Sequence, residues 1–315
     1  MNQDGTSHAP ETLCGIKNEK TKLNLNMSKT INEGFSTLHS RLTPNLTETE
    51  FIKSHRASIK ACLESNFDMK NFFRTGSTGN GTSISGYSDT DYFASIPANK
   101  LKDNSSSSLR EVKEALQTRF PKTGIYIDSP AVVCPFGSSD AETFEIVPAH
   151  YLKQEKGNNV YDIPDGSGGW MKASPLAHNK YVTDVNIKLD YKVKPLIRFM
   201  KAWKYYCNVP ISSFYLEIKT VKYAEKESSI IYSIDILNLI KQMHDSKLSA
   251  VIDPTEISGY IYPCKTEANK ADALSKVSTA KTRSEKAREA ESNDEIKEAF
   301  EWWDKFFNWK FPSYY

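Results

Sequence analysis

No run of about 18 consecutive apolar residues occurs in the 315-residue chain, so nothing in it reads as a membrane span. Met1 to Lys29 is polar and lacks the apolar stretch of a secretory signal, which makes the cytoplasm the expected compartment. An excess of one charge is also missing: 41 Lys and Arg face 39 Asp and Glu, a net +2. That balance argues against a protein built to coat nucleic acid or an anionic membrane, while leaving room for a local basic face. Cysteine is sparse. Cys14, Cys62, Cys134, Cys207 and Cys264 are scattered, with no CxxC pair and no Cys/His cluster. This excludes a zinc-finger spacing and argues against a disulfide framework, so they read as reduced thiols, mostly in the core. No internal repeat is visible.

What remains is an ordinary globular composition, 39% apolar and 25% charged. The length suits about two domains and needs no metal or disulfide staple. Residues 1–28 read as a polar tail, and a first helix covers about Lys29 to Leu42. Thr47-Glu48-Thr49-Glu50 has a capping-box pattern. Behind it Ile52, His55, Ile59, Cys62 and Leu63 recur at helical spacing, in a helix ending near Asn66. Phe72 and Phe73 form a short strand that runs into a Gly/Ser/Thr loop, and Asp89 to Pro97 reads as a strand. Asn104 to Ser108 reads as a loop and Leu109 to Phe120 as a helix. Ala131 to Phe136 and Glu142 to Val147 are strands joined by a turn at Gly137–Asp140. Tyr151 to Ala177, rich in Gly and Pro, reads as an irregular connection. Beyond it the chain turns helical. Leu189, Val193, Leu196, Met200, Trp203 and Cys207 step by three or four, with Pro195 marking a kink or the true start. Two more helices cover Ser212 to Ala224 and Ile230 to His244, and an aromatic tail ends in Trp302 to Trp309.

The chemistry gathers on the strands. Asp89 and Asp91 alternate onto one face, leaving Tyr92, Ala94 and Ile96 for a core. Crowded carboxylates raise one another's pKa, and a divalent cation such as Mg²⁺ relieves the repulsion. Asp-x-Asp alone equally describes a solvated strand end. Upstream, Gly76-Ser77 sits at a strand-to-loop junction, where glycine admits a phosphate to the backbone and serine donates to it. Downstream, Glu145 shares a face with Val147, opposite Phe144 and Ile146. If that strand lies beside Asp89 and Asp91, three carboxylates meet, the arrangement of a two-metal site.

Gly76-Ser77-x-x-x-Gly81-Thr82, Ser88-Asp89-Thr90-Asp91 and Glu145-Ile146-Val147-Pro148-Ala149 together resemble the polymerase-beta-like nucleotidyltransferase signature. Within that superfamily the chain resembles the bacterial cGAS/DncV-like nucleotidyltransferases (CD-NTases), the synthases of cyclic-oligonucleotide anti-phage signalling (CBASS). The resemblance runs from about Leu42 to Pro263 and extends to the helix Leu196–Lys204 and to Ile211–Glu217. It implies an α+β fold: a mixed sheet with helices, a C-terminal helical lobe, and an active site in the cleft between them. The implied domains are a core over 29–177 and a helical domain over 178–315 that completes the nucleotide pocket.

The resemblance further implies that Asp89, Asp91 and Glu145 are the catalytic and metal-binding carboxylates, holding two Mg²⁺ ions for which Mn²⁺ substitutes. Gly76, Ser77, Lys201 and Ser213 would bind the donor triphosphate, with Phe214 as a face for a base. The family's third carboxylate is usually Asp, so Glu145 is a departure; Asp140 and Glu142 are its fallbacks. The expected reaction joins nucleoside triphosphates, ATP among them, into a cyclic di- or trinucleotide and releases pyrophosphate. No nucleic-acid activator and no membrane are expected. A basic row of Lys180, Lys188, Lys192, Lys194, Arg198, Lys201 and Lys204 reads as a solvated face around a phosphate pocket. An effector that recognises the product and a regulatory protein are the implied partners. Open alternatives are a template-independent nucleotidyltransferase acting on RNA or protein, an inactive nucleotide-binding fold, and an interaction protein that docks through Trp302–Trp309.

Overall fold

The computed structural model of the protein describes residues 29–44, 50–87, 89–136 and 142–315. The tail over 1–28, Cys14, the capping-box residues Thr47 to Thr49, Ser88, and the turn Gly137–Asp140 lie outside them. In chain order the first half runs α1 (Ile31–Leu42), α2 (Glu50–Phe67), β1 (Asn71–Arg74), α3 (Gly76–Asn80), β2 (Thr90–Ser95) and α4 (Ser105–Arg119). It continues with β3 (Tyr126–Asp128), β4 (Ala131–Phe136), β5 (Glu142–Glu155), β6 (Asn158–Pro164) and β7 (Trp170–Ala173). Helices follow: α5 (Pro175–Lys188), α6 (Val193–Tyr206), α7 (Ser213–Ala224) and α8 (Tyr232–Asp245). A small hairpin of β8 (Val251–Ile252) and β9 (Tyr260–Ile261) precedes α9 (Glu267–Ser292) and α10 (Ile296–Phe306).

One seven-stranded mixed sheet carries the first half, in the order β1-β2-β5-β4-β3, with β6 and β7 extending from the far end of β5. β2 and β5 run parallel; the other pairs are antiparallel. On one face Tyr92, Ala94, Ile96, Phe144 and Ile146 pack under α2 and α4, which supply Ile59, Leu63, Val112 and Leu116. The opposite face carries a smaller cluster of Phe93, Val147, Ala149, Tyr161 and Ile163 and turns toward the helical half. This alternation follows the strand period read from the sequence.

Several expectations are corrected. The connection expected over Tyr151–Ala177 is the β5–β6–β7 meander followed by the start of α5, where Pro175 fits a first helical turn that needs no N–H. β5 does not stop at Pro148. That proline, with no N–H to give, falls where the β4 partner has ended and the β6 partner has not begun. The serines after Asn104 are helical, because the Asn104 side chain accepts from Ser107 N–H and caps α4. The loop after Phe73 is largely the five-residue helix α3. The helix read through Leu189 is two helices, α5 and α6, with Pro195 in the first turn of the second.

The first helix also changes its allegiance. Although it falls within the span assigned to the core, α1 buries Ile31, Phe35, Leu38 and Leu42 in the helical half. A capping box starts it: Thr30 and Glu33 exchange side-chain and backbone bonds. Phe35 is fully buried at the centre, 5.2 Å from Phe199, 5.2 Å from Trp303 and 5.1 Å from Phe311. Gly34 lets α1 approach, since a Cβ there would lie 2.9 Å from ring atoms of Phe300 and Phe311. Phe300, Trp303, Phe306 and Phe307 of the aromatic tail are therefore core, and Trp309 stays exposed. Among the described residues no helix is long and apolar enough to cross a membrane.

Arg198 of α6 straps these pieces together. It donates to the Ser83 and Gly81 carbonyls (3.1 and 2.9 Å) and lies 2.9 Å from His39 Nε2 of α1. Burial, and then the Arg198 charge, hold His39 below its ordinary pKa, as suits an acceptor. Phe35→Ala should lower the unfolding free energy by about 3–5 kcal/mol in a denaturant titration, the range for an emptied aromatic core site.

Candidate active site

β1 delivers the chain to Thr75, whose N–H donates to the Asp91 carbonyl (2.9 Å). The next residue must be glycine. Gly76 has φ +52°, and a Cβ there would fall 2.0 Å from Asp91 Oδ2. Ser77 N–H donates to the Asp91 carboxyl, and the Thr78 hydroxyl donates to the Asp89 carbonyl (3.2 Å). The Gly-Ser turn and the Asp-x-Asp strand are thus one hydrogen-bonded unit.

Asp91 and Glu145 are direct partners across the parallel β2–β5 pair, which meets the condition that the sequence left open. Their carboxyl groups lie close enough for each to act on the other. Burial pushes Asp91 above the ordinary carboxylate range, and the Asp89 charge adds to it. Burial raises Glu145 as well, followed by the charges of Asp91 and Asp89. Crowded carboxylate oxygens are the donor chemistry of a hard divalent cation. Among the described residues, however, no group of three or more His, Cys, Asp or Glu side chains is arranged to hold a metal ion. Holding a cation would take a shift of these side chains from the positions they occupy. Of the fallbacks, Asp140 lies outside the described residues, and Glu142 pairs with Phe136 farther along β5.

Helices α6 and α7 face these carboxylates. Lys201 is only 2% exposed and ion-paired to Glu217 of α7, with its Nζ 3.0 Å from Thr82 Oγ1. Glu217 also accepts from Thr82 Oγ1 (2.6 Å) and from the Asn80 amide. Burial would raise the Glu217 pKa; Lys201, Thr82 and Asn80 outweigh it and hold the carboxyl low. Lys201 therefore borders the cleft already neutralised. Lys204, one turn on, is different. Its Nζ donates to Ser213 Oγ (2.6 Å) and lies 4.7 Å from the Tyr205 ring centre. Burial, then the neighbouring Lys201 charge, push its pKa down to about 8, against the pull of Asp89 and Glu145. Tyr205 reaches the same Ser213 hydroxyl (3.2 Å) and stacks on Tyr87 at 5.2 Å.

These groups line a cleft of about 380 Å³: Gly76, Ser77, Asp89, Asp91, Glu145, Lys201, Ser213 and Phe214, all expected from sequence, with Tyr87, Lys204, Tyr205 and Glu217. A more apolar chamber of about 470 Å³ adjoins it and shares Gly76, Asp91, Glu145, Phe214 and Glu217. Two of the four additional residues had readable signals. Lys204 follows Lys201 by one helical turn, and Glu217 follows Ser213 by one turn. The rest of the basic row is dispersed: Lys180 pairs with Asp184, Lys188 reaches the Glu225 carbonyl, and Lys192 the Ile230 carbonyl.

The model of the Second Messenger Oligonucleotide or Dinucleotide Synthetase (SMODS) domain matches residues 29–186, half of the chain. The chain belongs to this family. It is a CD-NTase, a nucleotidyltransferase with the polymerase-beta-like fold. A probable cyclic nucleotide synthase of Bacillus cereus (strain VD146) is 29% identical over 260 residues, 75% of each chain. CdnC of Escherichia coli MS115-1, solved with ATP, superposes with a TM-score of 0.69 at 15% identity, over 89% of this chain and 98% of that one. DncV of Vibrio cholerae, a cyclic AMP-GMP synthase solved with a linear intermediate, gives 0.72 at 13% identity, over 91% and 98%. The CD-NTase thus falls in a family of cyclic-oligonucleotide synthases.

Two outcomes follow from the site. Gly76→Ala should leave the far-ultraviolet circular dichroism unchanged yet cut pyrophosphate release about 100-fold, because it displaces Asp91. Lys204→Met should raise the melting temperature at pH 7 by about 2–4 °C. Lys204 titrates lower in the folded chain than in the unfolded one, so its charge costs stability below about pH 8. That cost fades as the pH rises toward the unfolded value. The gap between variant and wild type should therefore close between pH 8 and pH 10.5.

Proposed function

We propose that this CD-NTase joins nucleoside triphosphates, ATP among them, into a cyclic di- or trinucleotide second messenger that serves anti-phage defence in the cytoplasm. The observation that carries the reading is the pair of chambers meeting at one set of carboxylates. A polar cleft with a lysine and serine wall lies on one side, an apolar chamber on the other, and Asp91 and Glu145 line both. That geometry suits a donor triphosphate and an acceptor nucleoside around a single reacting point.

The donor's phosphates lie along the Gly76–Ser77 backbone, the Ser77 hydroxyl, Ser213 and Lys204. Lys204 is the working cation of this clamp. Its ammonium is held by a neutral hydroxyl and disfavoured by burial, so a phosphate gains its full charge. Lys201 acts behind it, fixing Glu217, Thr82 and the end of α3. Phe214 stacks on a base. Asp89, Asp91 and Glu145 would hold two Mg²⁺ ions, or Mn²⁺ in their place, which supply Lewis acidity to the attacking hydroxyl and charge neutralisation to the leaving pyrophosphate. The chain itself aligns the acceptor ribose hydroxyl, through the Glu145 side of the site, for in-line attack on the donor α-phosphorus. A new P–O ester bond forms and the bond to pyrophosphate breaks. The linear product then rebinds for ring closure. A nucleic-acid activator is not part of this reading; an effector and a regulatory protein are its expected partners.

The deciding experiment incubates the purified chain with radiolabelled ATP, GTP, CTP and UTP and Mg²⁺, without nucleic acid, beside Asp89→Asn/Asp91→Asn. A discrete phosphatase-resistant product that is absent from the variant is expected, and omitting each triphosphate in turn names its bases. A ladder of extended products would instead indicate a template-independent polymerase. No product with all four would overturn autonomous synthesis.

A further inference from the structure

Phe214 stands in the first turn of α7 with 40% of its surface open, a large apolar ring that lines both chambers. His178 of α5 meets it edge-on, 5.0 Å between ring centres at 74°. The imidazole is buried, and its Nε2 lies 2.8 Å from Asp253 Oδ1 and 3.4 Å from the Thr255 hydroxyl. Asp253 is wholly buried at the end of β8. It accepts the backbone N–H groups of Thr255 (2.9 Å), Ile257 (3.2 Å) and Ser258 (2.7 Å) and the Thr255 hydroxyl (2.7 Å).

Four donors from its own loop already satisfy this carboxylate. The contact with His178 exceeds what the loop needs. What it adds is a fixed plane for the imidazole, and through the edge-to-face contact a fixed tilt for Phe214. An alkyl side chain at 178 would fill the same space but could not be held from behind.

We infer that His178, anchored by Asp253, is a positioning residue. It sets the Phe214 ring as the face on which a substrate nucleobase stacks, and it ties that face to the loop whose Ser258, Tyr260 and Tyr262 line the apolar chamber. The inference rests on the synthase reading in taking the ligand to be a nucleoside triphosphate. An aromatic face contributes to base binding only at the correct tilt, so a loosened Phe214 loses affinity without losing its area.

The test is equilibrium titration of the full chain with the α,β-methylene analogues of ATP, GTP, CTP and UTP in Mg²⁺. The proteins are wild type, His178→Leu, His178→Gln, Phe214→Leu and the His178→Leu/Phe214→Leu double variant. His178→Leu should weaken the tightest of the four analogues about tenfold. His178→Gln, whose side-chain N–H can still reach Asp253, should bind within about threefold of wild type. Once Phe214 is leucine, His178→Leu should change nothing further, because the coupling runs through that ring. Unchanged affinity in His178→Leu, an equal loss in the Phe214→Leu background, or failure of His178→Gln to restore binding would overturn the inference. So would a wild type that binds none of the analogues. Pyrophosphate release from the natural triphosphates judges the synthase reading separately. A chain that binds the analogues but releases no pyrophosphate fails that reading, while the titrations still decide the role of His178.

Discussion

Two carboxyl groups on adjacent parallel strands, in register and turned to the same face, resist ionising together. Asp91 and Glu145 are held so by the backbone ladder of β2 and β5, with Asp89 beside them. The strands have no freedom to separate, because Tyr92, Ala94, Phe144 and Ile146 on the reverse face lock the sheet under α2 and α4. The repulsion is thus built in and supported by a packed core, which is how a fold sustains a locally unfavourable arrangement. The repulsion shows in the raised pKa of both groups, and a hard cation would relieve it.

The remaining site features answer to that cluster. Gly76 exists to let Asp91 stand where it does, since any Cβ would occupy the position of its oxygen. Cations are needed nearby, and α6 presents two on one face. They are treated differently. Lys201 is consumed by Glu217 and becomes a strut between α6, α7 and the end of α3. Lys204 is left against hydroxyls and an aromatic ring, its charge costly until a phosphate arrives. Breaking the buried Lys201–Glu217 pair would strand a charge in the interior, so its value is architectural even though its residues border the cleft.

The helical half holds the cleft's other wall by an unusual concentration of rings. Phe35 from the first described helix is enclosed by Phe199, Trp303, Phe307 and Phe311 from segments far along the chain. Chain order therefore does not coincide with packing: α1 precedes the sheet in sequence but belongs with the helices. Arg198 joins that packing to the Gly81–Ser83 segment that follows α3, so the wall and the phosphate-side turn are positioned by one side chain.

The sequence by itself determined the elements of the chemistry. Strand alternation set the faces of Asp91 and Glu145 within their own strands, Asp89 falls one residue before β2, and the Gly-Ser junction was legible as local pattern, whereas Lys201 and Ser213 were readable only through the family resemblance. The strand faces and the junction are short-range properties, set by backbone period and side-chain type. It did not disclose α5 or the β6–β7 meander, because Gly- and Pro-rich composition reads as loop when the tertiary partners that order it are unseen. Only the tertiary structure decided which lysine remains available. Lys201 and Lys204 are equivalent by helical period, and the difference is Glu217 on another helix. It likewise decided that Asp91 stands opposite Glu145, because strand register is a long-range match that no local propensity encodes. The same holds for His178 and Asp253, distant in sequence, which meet behind Phe214 because α5 and the β8–β9 loop pack against α7.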